Sequence, residues 1–492
     1  MPDVTILPFQ PQLPQALPTI EGNVDYRNLR DQFQRIDELL CQSGLEREFI
    51  QSDLDRWSKG RQPAGASAQR TRQIHSQRAL RCNIARILLH EDYRGFAARL
   101  ADSPLLQHFC LLNQLMVRVP SKSALQRYDQ WWEESQVRER IHKLLVLGAQ
   151  EPARLDLDQA LDLDCCFLDT TCLETHIHYP VDWVLLRDGT RTLMKAVRLI
   201  RREGLKHRME EPEVFISRIN KLCIQMTHAW NHVDGQRQRK KTFRRMDRVV
   251  GIVRTHAQRY RDLLDKQWEQ TQWTRAQAQQ VLGRMDRVLE QLPKARRQAR
   301  ERILAGRQVD NAEKILSLYE PDVQVIVRKK AGAPVEFGNT LLLGENPQGM
   351  ILDWELFRDS APADSKLLPR SAGRMEEAYG PLKALGGDRG FDSNDNREGM
   401  AMEGIYNGVC PRSPQRLKER MRSVKFKKLQ RRRAQTEGRI GIIKNVFLRG
   451  RPRCKGFANR ELTVTWTVLV HNLWVMARLP QKAAAAVPAA AA

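Results

Sequence analysis

Residues 165–171 read CCFLDTT, and the way this short piece is parsed sets the fold of everything around it. A polar break over residues 150–164 precedes it, and the apolar run Cys165 to Leu168 ends in Asp169, followed by Thr170 and Thr171. A short apolar run bounded by polar breaks reads as a buried strand. Downstream lies a long, charged, helical stretch from Gly189 to Ser317, with hardly a proline (Pro212 and Pro293). Strand texture then resumes at Val323–Val327, Phe337–Leu343 and Met350–Phe357. A helix follows over Ser365–Tyr379, then a short strand leading into Asp388, another strand over Gly404–Cys410, and closing helices from Phe426 onward. Strands and helices in that order predict an α/β protein with a mixed sheet, interrupted after its first strand by a helical insertion.

Upstream the texture is different. Residues 1–22 are rich in Pro and Gln and read as extended. From Tyr26 to Arg81 the apolar periodicity is sparse (Phe33, Ile36, Leu39, Leu40), and GRQPAGASAQR at 60–70 reads as a loop. A compact helical block spans Ala79–Leu147. Ile84, Ile87, Leu88 and Leu89 form one apolar face, and Phe96, Leu100, Leu105, Phe109 and Leu112 form the next. Within it VPSKSAL is a turn entering a helix, with Ser121 or Ser123 as its cap. The expected organisation is an N-terminal arm with polar helices (1–79), a helical domain (80–150), a sheet-bearing core (160–188 and 318–480), a basic helical insertion (189–317) and a low-complexity tail (481–492).

Charge narrows the function. The 492 residues hold 82 Lys and Arg against 58 Asp and Glu, a formal +24, with basic runs at 237–245 (RQRKKTFRR) and 294–302 (KARRQARER). Such a surplus suits a polyanionic partner, although a charge run is by default a solvated helix face. An apolar share of 41% is enough to bury real cores. The most apolar late stretch, Leu462–Leu479, carries His471, Asn472 and Arg478, so no membrane span is expected. The opening MPDVTILPFQPQLPQALP lacks a basic n-region and is broken by prolines, so no export signal is expected either. Nine cysteines at irregular spacing, with no C-x-x-C pair, point to a reducing cytoplasm and away from a structural zinc site. Cys172, His176 and His178 lie close together, but without a second ligand cluster they read as ordinary structural residues.

No P-loop, G-x-S-x-G, H-E-x-x-H or dinucleotide fingerprint is present. What remains is a set of carboxylates placed where a hard divalent cation could sit: Asp169 at its strand end, Asp388 in GGDRGFDS, and Glu437 in QRRRAQTEGRIGIIKN. Taken singly, a strand-end Asp is more often a cap or turn former, and Glu437 is more often half of a surface ion pair with Arg433. On a helix, Gln430, Arg433, Glu437 and Lys444 fall on one stripe, a carboxylate among fixed cations. Trp183 and Trp354 read as core packing before base stacking, and His178, Tyr179 and Asp182 as structural.

Three blocks carry a resemblance: LDTTCLETHIHYPVDWVLLRDG (168–189); VEFGNTLLLGENPQGMILDWELFRDSAPADS (335–365) with GDRGFDS (387–393); and YNGVCPRSP (406–414) leading into RRAQTEGRIGIIKNVFLRGRPRCKGFANRE (432–461). Together they resemble bacterial insertion-sequence transposases of the DDE type, nearest to the unclassified group related to the superfamily with a Tyr-Arg-Glu-Lys third block. YRGFAARLADSPLLQHFC and VPSKSALQRY are similar to the helical N-terminal domain of those proteins. The resemblance implies a ribonuclease H-like core in which Asp169, Asp388 and Glu437 hold two Mg²⁺ or Mn²⁺ ions. Arg433 and Lys444 match the cationic members of the third block, and Gln430 stands where its tyrosine would be. Arg432 and Arg439 on the same helix, and Lys122 and Arg127 on the N-terminal block, are the further candidate DNA contacts.

The implied activity is cleavage of a phosphodiester at the element's terminal inverted repeat and joining of the freed 3′ end to target DNA. The implied setting is double-stranded DNA bound by a homodimer or higher assembly, in the bacterial cytoplasm with the nucleoid. The alternatives are a catalytically silent DNA-binding protein derived from a transposase, and an RNA-processing nuclease of the same fold. An insert in the superfamily falls more commonly between the second Asp and the Glu, so an insertion after the first strand departs from the pattern.

Overall fold

The computed structural model describes residues 20–59, 65–112, 117–229, 234–330 and 333–481. Most of the N-terminal arm, half of the 60–70 loop and nearly all of the low-complexity tail lie outside the described residues. Six strands form one mixed sheet: β1 (Cys165–Glu174), β2 (Gln324–Lys330), β3 (Ala333–Glu345), β4 (Ile351–Leu356), β5 (Ala384–Gly387) and β6 (Tyr406–Val409). The order is β2-β3-β1-β5-β6, with β4 also pairing β3. β1, β2 and β4 run antiparallel to their partner β3, whereas β1–β5 and β5–β6 are parallel.

The strands lie where the apolar texture put them, with one correction that matters. Asp169 does not end β1. The strand runs five residues beyond it, to Glu174, pairing β3 from Phe167–Glu345 to Glu174–Gly338. The β-branched Thr170 and Thr171 suit a strand as well as the apolar residues before them do. What stops near Asp169 is the parallel ladder to β5, whose last pair is Leu168–Gly387.

Successive strand residues face opposite sides, and both sides of β1 are covered, which explains its unbroken apolar start. Cys166 and Leu168 belong to the main core, and Cys165 and Phe167 pack with Ala384, Tyr406 and Leu429 on the other face. That second face is roofed by the helix Val424–Gly441. By the same parity, Asp169 belongs to the roofed side.

The main core continues without a break into the N-terminal helices Val24–Gln42, Leu45–Ser58, Ala66–Leu88 and Glu134–Gln150, and into the penultimate feature of the chain, the helix Phe457–Met476. Trp132 and Trp466 contact at 6.0 Å and Phe49 stacks on Trp466 at 5.7 Å, joining N-terminal and C-terminal segments. The expected boundary at 79/80 therefore falls inside one 23-residue helix, Ala66–Leu88. That helix also absorbs residues 66–70 of the expected loop. Its C-terminal half buries the expected apolar face, but the buried residues of its first half are Gln73, Ser76 and Gln77, so apolar periodicity does not reveal where it begins.

Between β1 and β2 stands a lobe of four helices, Asp182–Arg202, Pro212–His228, Gly235–Gln267 and Arg275–Arg300, with a hydrophobic cluster of its own. Its first helix starts at Asp182, so the expected 188/189 boundary also falls within a helix. Asp182 is buried against Gln298 and Arg302, tying the two ends of the lobe together. Among the described residues no helix is long and apolar enough to cross a membrane.

Candidate active site

The register of β1 against β5 brings the two aspartates together. Leu168 pairs with Gly387, so Asp169 and Asp388 are the next residues on neighbouring parallel strands, which lie about 4.8 Å apart. β5 ends because Asp388 turns the chain: its Oδ1 accepts the Gly390 N–H at 2.7 Å, opening a short 3₁₀ turn, Arg389–Phe391. Space at Gly390 is tight. A Cβ on it would lie 2.5 Å from Asp364 Oδ2 and 2.9 Å from Asp388 Oδ1.

The third carboxylate comes from the roof. Ser423 caps the helix Val424–Gly441 by accepting the Phe426 N–H at 3.4 Å, and Phe426 is fully buried. Gln430 Nε2 donates to the Gly408 carbonyl on β6 at 2.7 Å. One turn on, Glu345 at the end of β3 is the anchor. Its Oε1 accepts from Arg432 Nη1 at 2.7 Å and from Thr436 Oγ1 at 2.8 Å, and Glu345 itself is 2% exposed. Arg432 also donates to the Pro347 carbonyl at 2.8 Å and the Asn346 carbonyl at 2.7 Å. With that face of the helix bound down, Glu437 is left exposed.

Electrostatics place these groups within one field. The Asp169 carboxyl is pushed up to about 6, first by burial, with Asp388 and Glu437 adding to the rise. The Thr170 N–H, at 2.7 Å, and Arg433 pull the other way. Arg433 is partly buried, and its Nε has no hydrogen-bond partner. The donors suit a hard divalent cation in kind, being carboxylate oxygens, and a carboxyl raised by burial and by two acidic neighbours is short of positive charge. As the side chains stand, no group of three acidic, histidine or cysteine residues among the described residues is gathered closely enough to hold an ion.

The other expected site residues separate into two groups. Arg432 is engaged by Glu345 and two carbonyls, and Arg439 lies 3.8 Å from Glu345 and donates to the Gln348 carbonyl at 3.5 Å. Both contact the β3–β4 hairpin, Arg432 closely and Arg439 at longer range. Lys444 lies off the expected stripe because a π-helical turn, Ile442–Phe447, follows Gly441 and changes the helical phase. It sits 3.8 Å from both Glu174 and Glu336. Lys122 and Arg127 are exposed on the helix Lys122–Asp129, which Ser121 caps. Elsewhere on the helical block, Arg81 is buried against Glu46 and Asp37, and Arg86 pairs with Asp129, so both are structural.

Cys172 is buried in β1 while His176 and His178 are exposed. Trp354 is core, donating to Thr465 Oγ1 at 3.0 Å. Sequence reasoning missed Asp364, which begins the helix Asp364–Tyr379 and accepts from Thr170 Oγ1 at 3.2 Å, beside the catalytic candidates. Its only signal is a position at a helix start.

A mixed sheet with acidic residues at adjoining strand positions defines the class as an α/β protein with a carboxylate-centred site. Residues 343–473 match the family model of the transposase DDE domain. The match spans about a quarter of the chain and supports a DDE-type transposase, a family whose domain has a ribonuclease H-like core. The match includes Asp388 and Glu437. Asp169 lies before it in the sequence and joins through strand register. No curated protein and no solved structure matches the chain.

Proposed function

We propose that the protein binds the terminal inverted repeats of its insertion sequence as double-stranded DNA, cleaves the phosphodiester there and joins the freed 3′ end to target DNA. Asp169, Asp388 and Glu437 are the residues that would hold Mg²⁺ or Mn²⁺. Such a pair of cations supplies an activated water and stabilises the leaving 3′ oxygen. The observation that carries the reading is the register: the last β1–β5 pair, Leu168–Gly387, sets Asp169 beside Asp388 under the helix of Glu437.

The roles divide by position. Asp169 is held within β1 and accepts the Thr170 N–H, and Asp388, in the turn just past β5, accepts the Gly390 N–H, so both keep their places before any ligand arrives. Glu437 is exposed on the roof and so accessible to the reacting phosphate. Arg433, with a buried Nε lacking a partner, would neutralise a phosphate oxygen beside Asp169. Lys122 and Arg127 would contact the backbone of the element's end, and Lys444 the backbone flanking the reacting phosphate. Assembly as a homodimer or higher form on DNA, within the bacterial nucleoid, completes the reading on the strength of the family.

Replacing Glu437 by Gln separates chemistry from binding. The variant should lose magnesium-dependent nicking of the inverted repeat and keep its affinity for that duplex. Nicking at the wild-type rate would sink the assignment, and retained binding by a wild-type protein that never nicks would favour a silent DNA-binding protein.

A further inference from the structure

The helical lobe and the loop 449–456 face each other across a cleft of about 720 Å³, floored by residues 175–179 just beyond the end of β1. Arg191 and Lys195 enter it from the helix Asp182–Arg202, four residues apart and so on one face. Arg451, Arg453 and Lys455 enter it from the loop. The acids in its wall are already answered from within the protein. Glu320 pairs with buried Arg460 and accepts the Gly456 N–H at 3.0 Å, and Asp188 pairs with Arg187 at 2.8 Å.

A second cleft, of about 430 Å³, shares Arg451 and Arg453 with the first and is also lined by Glu174, Lys444 and Arg449. It leads toward the candidate site by two routes. Lys444 continues the helical segment that carries Glu437. Glu174 is five residues along β1 from Asp169, roughly 16 Å at 3.3 Å per residue.

We propose that the two clefts form one groove that takes the sugar–phosphate backbone of duplex DNA flanking the reacting phosphate, held between the helical lobe and the loop 449–456. The assignment rests on the function proposed above. A separation of roughly 16 Å corresponds to about five base pairs at 3.4 Å each, so the duplex reaches the groove within half a helical turn of Asp169. The cations are strung along a path rather than converging on one point, which suits a repeating anion and not a single small one. Two of them hold replaceable partners: Arg451 meets Glu174 at 2.7 Å and Arg453 meets Asp92 at 3.6 Å, with side chains 58% and 75% exposed. Exposed pairs of this kind are weak, so a phosphate backbone displaces them.

The test uses the full chain and a random-sequence duplex of about 30 base pairs, with affinity read by anisotropy across a range of salt. Replacing Arg191, Lys195, Arg453 and Lys455 together by Gln should flatten the log Kd against log salt slope by about 3.6, at about 0.9 per lost phosphate contact. The milder pair Lys195→Gln with Lys455→Gln, both at exposed positions, should flatten it by about 1.8, and Lys195→Arg with Lys455→Arg should leave it unchanged. A charge-matched control replaces exposed Lys241, Arg244, Arg245 and Arg248 elsewhere on the lobe, and should move the slope by less than about one. An unchanged slope in the groove variants, or an equal loss in the control, overturns the groove while magnesium-dependent nicking still stands. A wild-type protein that binds the duplex but never nicks its element's ends overturns the reading on which the groove rests.

Discussion

Arg432 was expected to touch DNA, and its surroundings predict a different consequence of removing it. The guanidinium makes three hydrogen bonds of 2.7–2.8 Å, to Glu345 and to the Asn346 and Pro347 carbonyls, and lies 5.2 Å from the Phe167 ring. Arg432→Ala leaves Glu345 2% exposed with Thr436 as its near partner and Arg439 3.8 Å away. Breaking one side of a buried ion pair costs about 3–5 kcal/mol, and partial compensation by Arg439 puts the expected loss near about 3. Few residues of the helix Val424–Gly441 are buried (Phe426, Thr436 and Ile440), so the loss should appear as local opening of that helix before global unfolding. Hydrogen exchange of its amides should accelerate by about 10²-fold, since each 1.4 kcal/mol is a factor of ten. Arg432→Lys should recover only part, because an ammonium cannot reproduce the planar fork. Exchange rates equal to wild type, together with a salt slope for DNA binding reduced by about 0.9, would refute the anchoring role and restore the phosphate contact.

Three further outcomes follow from other sites. Removing Lys122 and Arg127 together should flatten the salt slope for the inverted-repeat duplex by about 1.8 without changing the melting temperature, since both are exposed; an unchanged slope would move end recognition elsewhere. Gly390→Ala should lower nicking while the fold survives, because its Cβ would meet the Asp364 and Asp388 carboxylates; wild-type nicking would show that this corner is free to shift. Burial beside Phe447 and Trp474 pushes the His471 imidazole down to about 4, against an ordinary 6.5. The unfolded chain therefore binds a proton that the folded chain refuses between those values. Stability should fall as pH drops from about 6.5 toward about 4, by up to on the order of 3 kcal/mol, and His471→Leu should flatten that dependence in melts taken across the range.

Local pattern was enough to locate the six strands of the described residues, because each holds a run of apolar residues set off by polar or turn-forming ones. It could not tell that β1 passes through Asp169, since continuation depends on β3, whose pairing residues lie more than 160 positions away. Asp169, Asp388 and Glu437 stood out through resemblance and strand position, while their juxtaposition is a matter of register, which only the folded sheet supplies. The helix stripe held for Gln430, Arg433 and Glu437 and failed at Lys444, where the π-helical turn after Gly441 alters the phase. The anchoring of Arg432 was not legible because its partner, Glu345, is 87 residues distant and belongs to another element. The first half of the helix Ala66–Leu88 escaped for a different reason: its buried polar residues are held by ion pairs and hydrogen bonds, such as Arg72 and Ser76 with Asp53. Hydropathy does not register such pairs.

The proposed chemistry stands on three carboxylates acting together, and one comparison tests that most directly. Wild type, Asp169→Asn, Asp388→Asn and Glu437→Gln are assayed side by side for nicking of a duplex carrying the element's inverted repeat, in magnesium, at protein concentrations that saturate the DNA. Each variant should bind the duplex at least as tightly as wild type and nick it slower by about 10²–10³-fold or more, the usual loss when one group stabilising a transition state is removed. Wild-type nicking by any one of the three would contradict the assignment of that carboxylate and with it the shared site.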